Sequence, residues 1–406
     1  MKIAIVHAQK QHSIYYCNAF KNSEFDWRFY TLIYYKNDIL SNILYFFLSR
    51  NLKIKFKKNK FDVPDKYIYS NNLIGFLYEF LNRSHLKLFN NFSKLLLNSW
   101  YKKIAFTLIK NKYDLLISFD FNSMVLYDTL TNCNSKIFRV LDLSAPSYDF
   151  FLSYVIKNNS EEYDFDLNER FNSFNKHHSS ISNFEIANAN HFICASTFSK
   201  KSLEFKQIPS KNISIVRYPY NGEFKDIILF TKPELLNVIF VGKMTKAKGF
   251  NVFLEIVKEL NNDKNLFFSV VGKYNKNSKY YSNNRNYIDF LGFLEKKALN
   301  ELLKRSNIII FPSFSDGFGL SVIEAMAMGV IPIVSKYAGV SDLIINDFNG
   351  YIFDPLNKKN SIELIISLTK DREKMTYLSN NAIKTVKNLN PEVYKNQIIN
   401  LIRSLK

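Results

Sequence analysis

Short runs of consecutive apolar residues alternate along the chain with longer segments whose apolar residues recur at helical spacing. Such runs are typical of strands buried on both faces of a parallel sheet, and such segments are typical of amphipathic helices. The predicted strands of the first half are residues 2–6, 115–119, 137–141, 191–195 and 213–216. Those of the second half are residues 237–241, 267–271, 288–291, 308–311 and 331–334. Two alternating series in one chain predict an α/β protein with two doubly wound, Rossmann-like domains.

Helical segments lie between these strands and occupy the end of the chain. The predicted helices include residues 199–205, 250–260, 297–304, 320–328, 361–369, 372–386 and 391–403. Pro219, Gly222 and Pro233 break the pattern between the two series, which is typical of a hinge. We therefore expect a first domain at residues 1–222, a second at residues 223–390 and a separate helix at residues 391–406.

The composition is that of a globular chain, with 47% hydrophobic and 22% charged residues, and it excludes wholesale disorder. No apolar run approaches the ~18–20 residues of a membrane span, and the first residues read as a strand rather than a signal peptide. Three scattered cysteines, Cys17, Cys133 and Cys194, argue against a disulfide framework and predict a cytoplasmic protein. The cysteines and the six histidines show no metal-ligand spacing, so no structural zinc site is expected.

The excess positive charge of the first half is concentrated in one stretch. The chain has a net charge of +19, and residues 50–112 carry 14 Lys and Arg against three Asp and Glu. Within them, residues 53–60 are basic, and residues 85–110 predict a basic amphipathic helix whose apolar side includes Phe89, Leu95 and Trp100. Two interpretations remain open for residues 41–112. They are core-packing helices with solvated lysines, or a surface that contacts an anionic membrane or a phosphorylated lipid. No nucleic-acid motif accompanies the charge, so nucleic acid is not an expected partner.

The strongest candidate for a binding site is the segment from Phe311 to Gly329. A buried strand ends, a loop with Gly317 and Gly319 follows, and a helix begins near Leu320. The two glycines allow a ligand to approach the backbone closely. The free N–H groups of residues 319–321 and the helix dipole favour an anion such as a diphosphate.

Two carboxylates flank this anion site. Asp316 lies in the loop, and Glu324 is expected in the first turn of the helix. Because a phosphate repels a carboxylate, both are better placed to accept hydrogen bonds from sugar hydroxyls. A ligand with a diphosphate between two polyols is a nucleotide sugar.

A second strand-loop-helix segment runs from Val241 to Gly249. Lys243 and Lys248 in this loop could bring positive charge to the same diphosphate and neutralise a leaving group without a metal. The alternative is a solvated surface loop.

Together these segments resemble the nucleotide-binding domain of retaining glycosyltransferases of family 4, which have the GT-B fold. The matching segments, in family order, are residues 240–243 with 248–249, 270–272, 288–293, 310–313, 316–329 and 349–355. Residues 185–200 resemble more loosely the family's stretch that leads to the cleft between the domains. The resemblance also implies that the last helix crosses back to the first domain.

The resemblance implies a role for each matched position. Lys243 and Lys248 hold the diphosphate. The other implied contacts are the base with Gly292, Phe293 and Leu294, the donor sugar with Asp316, Gly317, Phe318 and Gly319, the phosphates with Leu320 and Ser321, and the ribose with Glu324. Gly242 is a further substrate-binding residue. The family usually needs no metal or other cofactor, and its leaving phosphate takes the proton of the acceptor.

The chain departs from the family at four places. Asp316 replaces the usual Glu, and Lys243 replaces the usual Arg, which loses a bidentate contact. Residues 7–12 replace a glycine-rich loop, and their two histidines either face the cleft or have no role. The acceptor-side His is absent. Asp142 is the candidate for its catalytic role, with Ser144 or a purely structural Asp142 as alternatives.

These observations predict a retaining glycosyltransferase that moves a sugar from a nucleotide donor to a glycan or glycolipid for a bacterial surface polysaccharide. We expect it in the cytoplasm, peripheral on the inner face of the membrane. One alternative is a nucleotide-sugar epimerase on the same fold. Another is a non-catalytic nucleotide-sugar-binding subunit, which the missing glycine loop and His would explain.

Overall fold

The computed structural model describes residues 1–35, 62–83, 87–150, 153, 176–226 and 235–405. These residues form two separate parallel sheets, one in each half of the chain. The basic residues 53–60 lie outside the described residues, as does part of the predicted linker. The prediction of an α/β protein with two doubly wound domains is confirmed.

The first sheet has seven strands in the order β3-β2-β1-β4-β5-β6-β7. They are β1 Lys2–Val6, β2 Asp26–Thr31, β3 Ile68–Ser70, β4 Leu115–Phe119, β5 Phe138–Leu143, β6 His191–Cys194 and β7 Ile213–Ile215. All five predicted strands are confirmed to within two residues. Strand β2 was not predicted because Asp26 and Arg28 interrupt its apolar run. The strand order reverses between β1 and β4, the place where open α/β sheets bind ligands.

Helices cover both faces of this sheet. They are α1 Ser13–Phe20, α2 Asn72–Arg83, α3 Lys87–Lys110, α4 Met124–Asn132, α5 Lys176–Asn188 and α6 Thr197–Glu204. Helix α3 confirms the long helix predicted at residues 85–110. Its buried side contains Trp100, whereas Phe89 and Leu95 are exposed. The prediction that all three lie on one apolar side was therefore wrong, because α2 and the sheet cover only part of the helix.

The second sheet has six strands in the order β10-β9-β8-β11-β12-β13. They are β8 Leu236–Val241, β9 Leu266–Val271, β10 Ile288–Gly292, β11 Ile308–Phe311, β12 Ile331–Ser335 and β13 Tyr351–Phe353. The helices are α7 Phe250–Leu260, α8 Lys279–Asn284, α9 Lys296–Arg305, α10 Leu320–Ala327, α11 Lys359–Lys370 and α12 Arg372–Lys387. Here the order reverses between β8 and β11, the strands that precede the two predicted binding loops.

The last helix, α13 Pro391–Ser404, packs against α1 of the first domain. Asn390 caps it, because the Asn390 side chain accepts a hydrogen bond from the Val393 N–H at 2.9 Å. The Arg403 guanidinium lies 2.7 Å from the Glu24 carboxylate, which ties the end of α13 to the first domain. None of the described helices combines the length and the apolarity that a membrane crossing requires.

Candidate functional site

The loops at the carboxyl ends of the two sheets meet where the domains touch. A Cβ atom on Gly317 would lie 1.9 Å from the Ser144 carbonyl oxygen, so the backbone after β11 rests on the backbone after β5. Beside this contact, the Tyr218 and Phe318 rings meet edge to face, with their centroids 5.7 Å apart. The predicted donor site therefore borders the predicted acceptor side.

The two binding loops of the second domain form one site. Lys248 Nζ lies 2.5 Å from Asp316 Oδ2 and 3.4 Å from the Ser315 carbonyl oxygen. The other carboxylate oxygen of Asp316 accepts a hydrogen bond from the Phe318 N–H at 3.0 Å. Lys248 and Asp316 thus neutralise each other, and an anion that binds Lys248 competes with this ion pair.

Gly249 lies where the Lys248 loop contacts the segment that leads into the Asp316 loop. It adopts a left-handed conformation with φ 70°, and a Cβ atom there would lie 2.0 Å from the Pro312 carbonyl oxygen. The Phe314 N–H also donates to the Ala247 carbonyl oxygen at 3.0 Å. Only glycine permits both the φ value and the close approach at position 249.

The start of α10 is open to a ligand. Gly319 precedes the helix with φ 78° and offers no side chain to cap it, so the N–H groups of Leu320 and Ser321 can face an anion. Ser321 Oγ also reaches the Val241 carbonyl oxygen at 3.4 Å, which keeps the start of α10 beside the end of β8.

Glu324 is the fifth residue of α10 and therefore lies in its second turn, not in the first as predicted. Its carboxylate is 2.5 Å from the ammonium of Lys296, a residue that the sequence did not single out. Lys296 opens α9 directly after the segment predicted to contact the base. Its place after that segment is the sequence feature that could have identified Lys296.

The predicted base site lies at the same edge of the sheet. Gly292 ends β10 at a bulge with φ 70° and accepts a hydrogen bond from the Gly272 N–H at 2.9 Å. A Cβ atom on Gly272 would lie 1.9 Å from the Gly242 carbonyl oxygen. The Phe293 side chain and Lys243 are exposed. The close contacts among Gly242, Gly272 and Gly292 thus keep the backbone of residues 292–294 beside the loop that contains Lys243 and Lys248.

Asp142, the acceptor-side candidate, is almost fully buried. Its carboxylate accepts hydrogen bonds from the hydroxyl groups of Tyr16 at 2.7 Å and Tyr218 at 3.0 Å. Burial raises the pKa of Asp142 to about 7. Tyr16 lies in α1 and Tyr218 follows β7, so Asp142 joins three elements of the first domain. This geometry favours the structural alternative for Asp142, and its catalytic role stays a prediction.

Sequence reasoning missed Asp120 and Glu185. Asp120 follows β4 and accepts a hydrogen bond from the Ser144 hydroxyl at 2.8 Å, and burial raises its pKa to about 6. Glu185 accepts hydrogen bonds from the N–H groups of Ser123 and Met124 at the start of α4, and burial raises its pKa to about 8. A carboxylate directly after a buried strand, as in Asp120, is a signal that could have been used.

Of the two histidines that replace the glycine-rich loop, His7 is buried and His12 is partly buried. His7 Nδ1 accepts a hydrogen bond from the Gln9 N–H at 2.8 Å, and burial lowers the pKa of His7 to about 4. The His12 ring stacks on Tyr218 with centroids 4.4 Å apart, and burial lowers its pKa. His12 therefore reaches the domain contact through Tyr218, whereas His7 packs inside the first domain against Phe119. Within the described ranges, no cluster of three or more His, Cys, Asp or Glu side chains could hold a metal ion.

The second domain matches a known family. Residues 224–385 match the family model described as "Glycosyl transferases group 1". The site built above lies within this match, because the Lys248 loop, the Asp316 loop and α10 all fall between residues 224 and 385.

Curated glycosyltransferases are similar to part of the chain. An uncharacterized glycosyltransferase of Methanocaldococcus jannaschii is 26% identical over 200 residues, which are 49% of this chain and 55% of that protein. The N,N'-diacetylbacillosaminyl-diphospho-undecaprenol alpha-1,3-N-acetylgalactosaminyltransferase of Campylobacter jejuni is 30% identical over 148 residues, 36% of this chain and 38% of that protein. The chain spans about half the length, or less, of the curated relatives that it matches.

Solved structures share the whole fold. HepE of Anabaena in complex with UDP superposes with a TM-score of 0.62 at 14% identity, over 99% of both chains. Sucrose-phosphate synthase of Thermosynechococcus elongatus superposes with a TM-score of 0.66 at 16% identity, over 100% of this chain and 99% of that one. At such identities the likeness concerns the fold alone, and the chain has the GT-B fold, as predicted.

Proposed function

We propose that this chain is a retaining glycosyltransferase of the family 4 type, which transfers a sugar from a nucleotide-sugar donor. One observation carries the proposal. The Lys248–Asp316 pair and the uncapped start of α10 form a single polar site that faces the other domain. A diphosphate and a sugar are the groups that such a site can hold side by side.

The chemistry follows from the charges of the site. The donor diphosphate lies at the start of α10, beside Lys243 and Lys248, and Asp316 accepts hydrogen bonds from the sugar. The bond from the anomeric carbon to the diphosphate breaks, and a bond to the acceptor oxygen forms on the same face. The departing phosphate oxygen takes the acceptor proton. The lysines and the helix dipole stabilise the negative charge on the leaving group, so the proposed reaction needs no metal or other cofactor.

The acceptor that we propose is a glycan or a glycolipid of a bacterial surface polysaccharide. The names of two relatives, from Campylobacter jejuni and Escherichia coli, specify acceptors linked to diphospho-undecaprenol or diphosphoundecaprenol. A lipid-linked acceptor requires the enzyme to work at a membrane surface, and the first domain is where such an acceptor would enter.

The surface of α2 and α3 supports this location. Leu73 and Phe80 are each 71% exposed and Leu77 is 43% exposed, at helical spacing along one side of α2. On α3, Phe92 and Leu95 are at least half exposed. Helix α3 carries five lysines and no acidic residue. Exposed apolar groups beside such positive charge are typical of proteins that lie on anionic membranes. We propose that this surface, hereafter the α2–α3 face, places the protein on the cytoplasmic side of the membrane.

Ligand-dependent thermal unfolding with UDP, GDP and ADP, each with and without EDTA, tests the donor site. A ligand at about 100 times its dissociation constant adds about 2.7 kcal/mol to the free energy of unfolding. We expect one nucleotide to raise the midpoint, with EDTA making no difference. The matching nucleotide sugars are then incubated with and without a polyprenyl diphosphate-linked acceptor.

The products separate the proposal from its alternatives. Transfer that needs the acceptor and keeps the anomeric configuration supports the proposed function. Free nucleotide or isomerised sugar without acceptor would indicate an epimerase. Binding without turnover would indicate a non-catalytic subunit.

A further inference from the structure

Asp342 of the second domain bonds directly to the first domain. Its carboxylate accepts one hydrogen bond from the Thr197 N–H at 2.6 Å and another from the Thr197 hydroxyl group. The Asp342 side chain is only 9% exposed, and the nearest guanidinium nitrogen of Arg217 lies 3.8 Å away. Hydrogen bonds to a carboxylate that is shielded from water are among the stronger ones in proteins.

The contact completes the cap of α6 from another domain. Thr197 is the first residue of α6, and Ser196 before it uses its hydroxyl group to accept from the Ser199 N–H. The Thr197 N–H has no acceptor within α6, as is general for the first turn of a helix. Asp342 supplies that acceptor, and its negative charge also suits the positive end of the helix.

The turn that carries Asp342 contacts the loop that contains Asp316 and Gly317, hereafter the donor loop. The Gly339 N–H donates to the Asp316 carbonyl oxygen at 2.8 Å. A Cβ atom on Gly339 would lie 2.0 Å from the Gly317 carbonyl oxygen and 2.5 Å from Ser196 Oγ. Gly339 thus has the donor loop on one side and the start of α6 on the other, so a shift of α6 acts directly on the backbone at Asp316.

We propose that Asp342 and Thr197 form an inter-domain latch that positions Asp316 against the donor sugar when the domains are together. Both are positioning residues, since neither lies where the sugar is expected. The inference rests on the proposed function, because Asp316 matters only if a donor binds there. A purely structural contact would stabilise the domain arrangement without changing turnover.

Kinetics of the full chain separate the two roles. Thr197→Val keeps the backbone N–H but loses the hydroxyl donor, whereas Thr197→Ser retains both. Asp342→Asn removes the negative charge of the acceptor. We expect kcat for sugar transfer to fall about tenfold in Thr197→Val and in Asp342→Asn, the loss expected for one hydrogen bond to a charged group. We expect Thr197→Ser to recover the wild-type value. The dissociation constant of the nucleoside diphosphate should stay within about twofold, since the base and phosphate contacts lie elsewhere.

Glu24→Gln is the matched control. It weakens a different polar link to the first domain, the Glu24–Arg403 ion pair, which lies far along the chain from the donor loop. Glu24→Gln should leave kcat unchanged.

The outcomes distinguish the latch from the proposed function. A wild-type enzyme that turns over, with Thr197→Val at the same kcat, overturns the latch and leaves the function standing. An equal loss in Glu24→Gln also overturns it, because any weakened domain contact would then suffice. If the wild type binds no nucleotide and transfers no sugar, the proposed function fails and the positioning role fails with it.

Discussion

The Lys248 ammonium lies 2.5 Å from the Asp316 carboxylate, although 67 residues separate them in the chain. The pair therefore adds no net charge to the proposed donor site. Asp316 also receives the Phe318 N–H, so its orientation is fixed from two sides. In the proposed reaction, the Lys248 ammonium can bind either the Asp316 carboxylate or the donor diphosphate. The relative strength of these two interactions should be measurable.

Asp316→Asn should separate binding from turnover. Loss of the carboxylate frees Lys248 for the diphosphate, so we expect nucleoside diphosphate to bind several times more tightly. Transfer should fall by about 100-fold, because the amide is a weaker acceptor for the sugar hydroxyls than the carboxylate. Calorimetric titration gives the affinity and steady-state kinetics the rate. Lys258→Ala, at an exposed lysine on α7, is the control. Weaker nucleotide binding in Asp316→Asn would contradict the competition between diphosphate and Asp316.

Glu324 should make the site prefer a ribose over a 2′-deoxyribose in the donor. We expect the wild type to prefer the ribonucleotide over its 2′-deoxy analogue by about tenfold, the effect of one hydrogen bond to a charged group. Glu324→Ala should bind both equally. Lys296→Met should weaken the preference only partly, because Lys296 orients Glu324 through the 2.5 Å ion pair without being assigned to the ribose itself. An unchanged preference in Glu324→Ala would remove this assignment.

We expect the Asp142 carboxyl to make the free energy of unfolding depend on pH. Burial raises its pKa from 3.8 to about 7, so the folded state favours the protonated carboxyl. Its contribution to stability is fully present below pH ~4 and is lost as the pH rises through about 7. We expect Asp142→Asn to gain in unfolding midpoint relative to the wild type between pH 5 and pH 8. Thermal scans at both values measure this difference. Since Asp120 and Glu185 also have raised pKa values, the comparison must be made against wild type at each pH.

The same variant also tests the catalytic prediction for Asp142. A structural Asp142 predicts that Asp142→Asn turns over at close to the wild-type rate at pH 8. A loss of turnover at pH 8 without loss of folded protein would support the catalytic role instead.

The α2–α3 face should bind anionic vesicles. We expect the protein to sediment with phosphatidylglycerol vesicles at low salt and to dissociate at high salt, as screening weakens the attraction of its lysines. Leu77→Ser with Phe80→Ser should reduce binding by about tenfold through lost apolar burial. The matched control is Phe267→Ser, which changes an exposed aromatic residue of the second domain. Equal loss in both variants would argue against a specific face.

The strands and the binding loops could be predicted because their signals are local. A buried parallel strand is a continuous apolar run, and each loop follows directly after its strand. The segment from Phe311 to Gly329 therefore showed its strand, glycines, carboxylates and helix in sequence order. The start of α10 at Leu320 was predicted from this order alone, and the structure confirms it.

Side-chain partners from distant segments could not be predicted in this way. Lys248 meets Asp316, Lys296 meets Glu324, and Thr197 meets Asp342 only because two sheets and their helices pack in one particular arrangement. No periodicity carries that information.

The sequence by itself determined two parallel sheets, the positions of most of their strands, and the order of strand, glycine loop and helix in the proposed donor site. Only the tertiary structure decided which charges face each other and which carboxylates are buried. Asp142 shows the reason. Its chemistry depends on two tyrosines from other elements and on the exclusion of water, and both arise only when the elements pack together.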